Sequence, residues 1–179
     1  MKQNATPLAC ALCMAPLVSA GAQAQSYPAK PIRIIVPFPP GGANDIAART
    51  LNLRLPALLG QNPIIENRAG AGGNIGAEAA AKSPNDGYHL FMGSSGSIAI
   101  NPGMYPKLSY DPLRDFVPIS LTLKVPFFMV VHPSLPANNV KEVVAYLKAN
   151  PGKINFGSAG PGASNHLSSE LFKSVAGVS

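Results

Sequence analysis

Charge is scarce in this sequence. Only 12% of its 179 residues are Asp, Glu, Lys or Arg, about half the usual ~25%. The formal net charge is +6, from 14 basic and 8 acidic side chains, and the basic residues stand singly. Without a basic run there is no footprint for nucleic acid or for a membrane surface, so the excess reads as scattered and solvated. Cysteine is nearly absent, with Cys10 and Cys13 the only two. No apolar run reaches the roughly 20 residues of a membrane-spanning helix, which excludes stable membrane insertion through one. His89, His132 and His166 are far apart and lack metal-ligand spacing. Carboxylates are few, and no close pair shares a loop with such donors. The expectation is therefore no catalytic residue, no metal and no cofactor.

Turn formers are abundant instead. The 17 glycines and 19 prolines make up about a fifth of the chain, against roughly an eighth on average. With 46% apolar residues, a folded core is expected rather than a disordered or fibrous chain.

The first 24 residues read as an address. Lys2 is followed by the apolar stretch Leu8–Val18 and then by Ala22-Gln23-Ala24, the layout of a secretory signal peptide with its cleavage site. Cleavage after Ala24 would remove both cysteines, leaving a mature chain with no thiol or disulfide. The expected product is exported and soluble.

After residue 30, strand and helix patterns alternate. Ile32–Val36 is a β-branched run bounded by prolines, the mark of a buried strand. A helix capped by Asn44 or Asp45 should follow, with Ala47, Leu51, Leu55 and Leu58 on one face, a kink at Pro56 and a stop at Gly60. Pro63–Asn67 reads as a strand, Asn74–Lys82 as a short helix and Tyr88–Met92 as a third strand. Asn101–Pro112 reads as an extended surface connection. Further strands are expected at Phe116–Leu123, Phe127–His132 and Lys153–Phe156. Asn139 and Glu142 open a helix with a capping-box-like start, and a last helix carries Leu167, Leu171, Phe172 and Val175. The order predicts an α/β fold in which helices cover a mainly parallel sheet.

Three strand exits share one design: Phe38–Gly42, Gly93–Ser97 and Gly157–His166. At such exits glycine admits a ligand close to the backbone, and the free amides of a helix start favour an anion. None of the three contains Lys or Arg. Neutral dipoles without a guanidinium clamp fit a small, reversibly held carboxylate better than a polyphosphate. A fourth loop, Gly70–Gly76, resembles a dinucleotide fingerprint but has Ile75 where the third glycine belongs. It reads as a turn and packing site. A nucleotide-using α/β enzyme built on it is the alternative function.

Several motifs together resemble one family. Ile34–Gly42 with Asp45 and Ala48-Arg49, then Glu66–Gly76, Asp86-Gly87-Tyr88, and Asn155–Gly160 with His166-Leu167 are similar, in order, to the Bug-type periplasmic solute receptors. These are the substrate-binding components of tripartite tricarboxylate transporters. The resemblance implies a two-lobed periplasmic-binding-protein-like fold, with mainly parallel sheets flanked by helices, that closes on a small carboxylate. It implies periplasmic localisation and the transporter's membrane components as partners. Carried across, Phe38, Gly41 and Gly42 would hold one end of the ligand. Ser94, Ser95 and Ser97 would add donors, and Ser158, Gly160, Ser164 and His166 would close from the other lobe. Because the family's two-domain layout is longer than this chain, the resemblance implies an incomplete fold. Residues 1–24 would be the signal, 25–123 the first lobe without its C-terminal return segment, and 124–179 part of the second. A truncated fragment without function is the third expectation.

Overall fold

The computed structural model of the chain describes residues 26–179. The signal-peptide segment and both cysteines lie outside them. A three-stranded parallel sheet is ordered β2-β1-β3, with β1 Arg33–Val36, β2 Ile64–Asn67 and β3 His89–Phe91. Arg33 pairs with Ile64 on one side and with His89 on the other. Parallel strands need a crossover, and helices supply it: α1 Ala43–Asn52 and α2 Leu55–Leu59 link β1 to β2, and α3 Asn74–Ala81 links β2 to β3.

The strand alternation divides the sheet into two faces. Ile34 and Val36 join Ala48 of α1 and Met92 in the core, with Leu55, Ile65 and Leu90 packed around them. Ile35 is buried on the opposite face, the side of α3. Pro56 breaks the expected single helix: the chain turns at Leu53–Arg54, and Pro56 sits in the first turn of α2, where its missing N–H is harmless. Gly60 ends α2 at φ +66, a conformation that suits glycine.

Beyond β3 a π-helical turn, Gly96–Ile100, runs into α4, Asn101–Met104. The remaining helices are α5 Val140–Ala149 and α6 Ser164–Ala176. The capping box of α5 forms, with Asn139 Oδ1 accepting from the Glu142 amide at 3.1 Å. Glu142 reaches back to the Asn138 amide at 2.6 Å rather than to that of Asn139. Asn139→Ala is expected to cost about 1 kcal/mol, read as a lower melting temperature; an unchanged melt would assign α5 to packing alone.

Five expectations are corrected. The N-cap of helix α1 lies two residues before Asn44, at Gly42, with no side-chain cap, because Asn44 and Asp45 are drawn into other bonds. Phe116–Leu123, Phe127–His132 and Lys153–Phe156 form no strands. A strand needs a neighbour's amides and carbonyls, and no described segment pairs with these. Val117, Phe128 and Val130 are 88%, 82% and 87% exposed. The stretch is pinned at Phe116, stacked 5.1 Å from Phe91, and at Thr122, whose hydroxyl lies 3.3 Å from Met92 Sδ. Finally, Asn101–Pro112 is no mere surface connection, since Asn101 and Tyr110 are buried.

Candidate functional site

The exit of β1 is held from beneath by one carboxylate. Asp45 is only 2% exposed. Its Oδ2 accepts from the Gly41 amide and from Arg49 Nε, each at 2.9 Å, and its Oδ1 accepts from Asn67 Nδ2 at 2.9 Å. Asn67 Nδ2 also donates to the Phe38 carbonyl at 3.0 Å. Strand β2, helix α1 and the Phe38–Gly42 loop are thus tied at a single point. The Arg49 guanidinium, then the Gly41 amide and the Asn67 amide, hold the Asp45 carboxyl well below the usual carboxylate range. Gly41, at φ +86, therefore has its amide engaged internally, and its part in the site is the shape of the loop.

The exit of β3 lies against the first loop. Asn44 Nδ2 donates to the carbonyls of Met92 at 3.1 Å and Gly93 at 3.2 Å, so the start of α1 spans both exits. Ser94 and Ser97 bind one another: the Ser94 amide donates to Ser97 Oγ at 3.1 Å and the Ser97 amide to Ser94 Oγ at 3.2 Å. Ser97 is fully buried, Ser94 half-buried and Ser95 exposed. Both loops meet at Gly73, where an added Cβ would touch the Phe38 ring and Ser97 Cβ at 3.6 and 3.7 Å.

Below this junction lies a polar knot. The Tyr110 hydroxyl is 2.7 Å from the Ser97 carbonyl and 2.9 Å from Asn74 Oδ1. Asn101 Nδ2 donates to Asn74 Oδ1 at 2.6 Å. Burial pushes the Tyr110 phenol up from its ordinary value.

The third loop arrives by its backbone. The Tyr105 hydroxyl donates to the Pro161 carbonyl at 3.0 Å, and Gly162 and Ala163 are buried beside Gly72 and Gly96. The side chains expected to touch ligand sit further out. Ser158 is exposed and its Oγ accepts from the Gly160 amide at 3.2 Å. Gly160, at φ +100, has open space around its Cα. Ser164 is half-buried at the start of α6. His166 lies 6.0 Å from the Phe156 ring, with Nδ1 buried and unpartnered. Among the described residues no hydrogen bond joins Ser158, Ser164 or His166 to the first two loops. The structure thus gathers Phe38, Gly41, Gly42, Ser94, Ser95 and Ser97, and brings the third loop to them at Gly162–Ala163.

Sequence reasoning passed over Asn67, Asn74, Asn101 and Tyr110 as site residues. Asn67 and Asn74 lie within the Glu66–Gly76 motif, so their signal is present there. The Gly70–Gly76 loop is covered at Gly72, which the third loop overlies, and Ile75 Cδ1 fills the space at Gly70. The backbone of Gly72, which a dinucleotide loop would turn to its ligand, is thus occupied by the third loop. Among the described residues no group of three or more His, Cys, Asp or Glu is placed to hold a metal ion.

Residues 47–179 match the family described as Tripartite tricarboxylate transporter family receptor. The chain belongs to this family. Protein BugT of Bordetella pertussis is 43% identical over 157 residues, which are 87% of this chain and 48% of that protein. A UPF0065 protein from the tcbD-tcbE intergenic region of Pseudomonas sp. (strain P51) is 37% identical over 168 residues, 94% of this chain and 50% of its own length. The chain spans about half the length of the curated relatives it matches. Two solved structures of similar fold hold ligands. R. palustris Rpa4515 with adipate superposes with a TM-score of 0.82 at 38% identity, covering 85% of this chain and 51% of that one. MatC from Rhodopseudomonas palustris with bound malate gives 0.80 at 30%, covering 86% and 52%. The periplasmic binding protein BugD gives 0.75 at 34%, covering 86% and 51%. Among the described residues no helix is long and apolar enough to cross a membrane.

Proposed function

We propose that this chain is ligand-binding sequence of a periplasmic solute receptor, capturing a small carboxylate for a tripartite tricarboxylate-type transporter. One observation carries the reading: two solved structures of the same fold hold the dicarboxylates adipate and malate. The loops here support it. Phe38–Gly42 and Gly93–Ser97 meet at the start of α1, where a helix N-terminus favours an anion, and the Arg49 guanidinium beneath them is engaged by Asp45.

In this reading residues 25–123 form the first lobe and 124–179 belong to the second. Phe38, Gly42, Ser94 and Ser95 face one end of the ligand, with Gly41 and Ser97 shaping their loops. Ser158, Gly160, Ser164 and His166 approach from the second lobe. No bond is made or broken. Binding energy shifts an open–closed equilibrium, and the transporter's membrane components read the closed form. Residues 1–24 direct export.

Titrating the chain with adipate, malate and a tricarboxylate tests this. A ligand at a hundred times its Kd should stabilise the fold by about 2.7 kcal/mol, seen as a saturable rise in melting temperature. A flat response to the whole set sinks the reading.

A further inference from the structure

The junction between the third loop and the sheet-exit loops is made of glycine. At Gly72 an added Cβ would overlap the Pro161 carbonyl oxygen, and at Gly162 it would overlap Asn101 Oδ1. At Gly96 it would stand 2.6 Å from the Gly162 carbonyl oxygen, closer than a carbon is tolerated. Three backbone segments therefore touch because none has a side chain. Asn101 lies beneath them with no exposed surface, its Nδ2 tied to Asn74 and its Oδ1 buried without a hydrogen-bond partner against Gly162.

We infer that Gly72, Gly96 and Gly162, keyed by Asn101, are positioning residues that dock the third loop on the sheet-exit loops and so set the ligand-bearing geometry. A side chain at any of the three moves Pro161–Ala163 outward, and the start of α6 moves with it. The Ser94–Ser97 turn and the Ser164–His166 end then lose their common register. The effect on binding rests on the receptor reading above; the docking contact does not.

Gly96→Ala is the cleanest probe. Gly96 has no positive φ, and of the atoms nearest to its added Cβ only the Gly162 oxygen falls under 3.0 Å. Gly103→Ala in α4, with nothing within 4 Å, is the control. Amide hydrogen exchange on the full chain without ligand should show segment 160–167 exchanging about tenfold faster in Gly96→Ala, with β1 unchanged and Gly103→Ala like the parent. Carboxylate affinity should fall about tenfold in the same variant. Unchanged exchange at 160–167 overturns the inference. Faster exchange shared by β1 also overturns it, by assigning Gly96 to global stability. If exchange responds as expected while the parent protein takes no carboxylate, the docking contact stands and the receptor reading fails.

Discussion

Replacing Asp45 with alanine is expected to lower the melting temperature and to weaken carboxylate binding about tenfold or more. Three donors lose their acceptor at once: the Gly41 amide, Arg49 Nε and Asn67 Nδ2. Asn67 retains the Phe38 carbonyl, so the loop is loosened at Gly41 before it is freed at Phe38. Asp45→Asn keeps the shape and one acceptor but removes the charge, and should fall between the two. The pH dependence separates charge from shape. Because the folded-state pKa of Asp45 is depressed, its contribution is complete above the ordinary aspartate value near ~4. It is lost as pH falls from there toward the folded value. Glu66 beside Arg68 and Glu78 beside Lys82 are also held low, so the parent protein alone does not isolate Asp45. The informative quantity is the melting difference between parent and Asp45→Asn. It should be constant from neutral pH to about 5 and shrink below about 4. A difference that persists unchanged to about pH 3 would rule out a depressed carboxylate.

Part of the fold was legible because its elements carry their signals in their own residues. Arg33–Val36 is β-branched and lies between two partners; Gly60 ends a helix where only a left-handed residue will do; Asn139 and Glu142 cap α5 within four residues. The later strands were illegible for the opposite reason. The runs at 116–123 and 127–132 have the composition of strands, but pairing is a property of two segments, and no described segment pairs with them. The site divides the same way. The glycine and serine content of the loops was visible, and so was the resemblance they carry. That Ser97 faces inward was not, because a hydroxyl that supports Ser94 and one that contacts a ligand look identical in sequence. Asn101 and Tyr110 were hidden among prolines and glycines, whose density signals a surface. Here the same residues let the backbone fold over two buried polar side chains.

The loop that sequence reasoning took for packing yields the largest expected loss of stability. Gly76 lies inside α3, where alanine would ordinarily stabilise by about 1 kcal/mol. Its added Cβ, however, would stand 2.7 Å from Pro37 Cα and 2.9 Å from the Arg68 carbonyl oxygen. Neither is the tip of a flexible side chain. Both belong to backbone at strand exits, Pro37 after β1 and Arg68 after β2, so relief requires α3 to move off the sheet. Overpacking of this kind costs about 1–3 kcal/mol or more, which exceeds the helical gain, and Gly76→Ala should be destabilised despite its better propensity. Gly76→Val removes most of that offset, since a β-branched residue is a poorer helix former, and adds two further carbons to the clash. Its expected loss is about 3 kcal/mol, read from denaturant melts. The displacement also reaches the site, because Pro37 leads directly into Phe38–Gly42. Weakened carboxylate binding should therefore accompany the lost stability, and by more than the unfolded fraction accounts for. A Gly76→Ala protein as stable as its parent would mean that α3 does not sit against Pro37 as closely as the geometry requires.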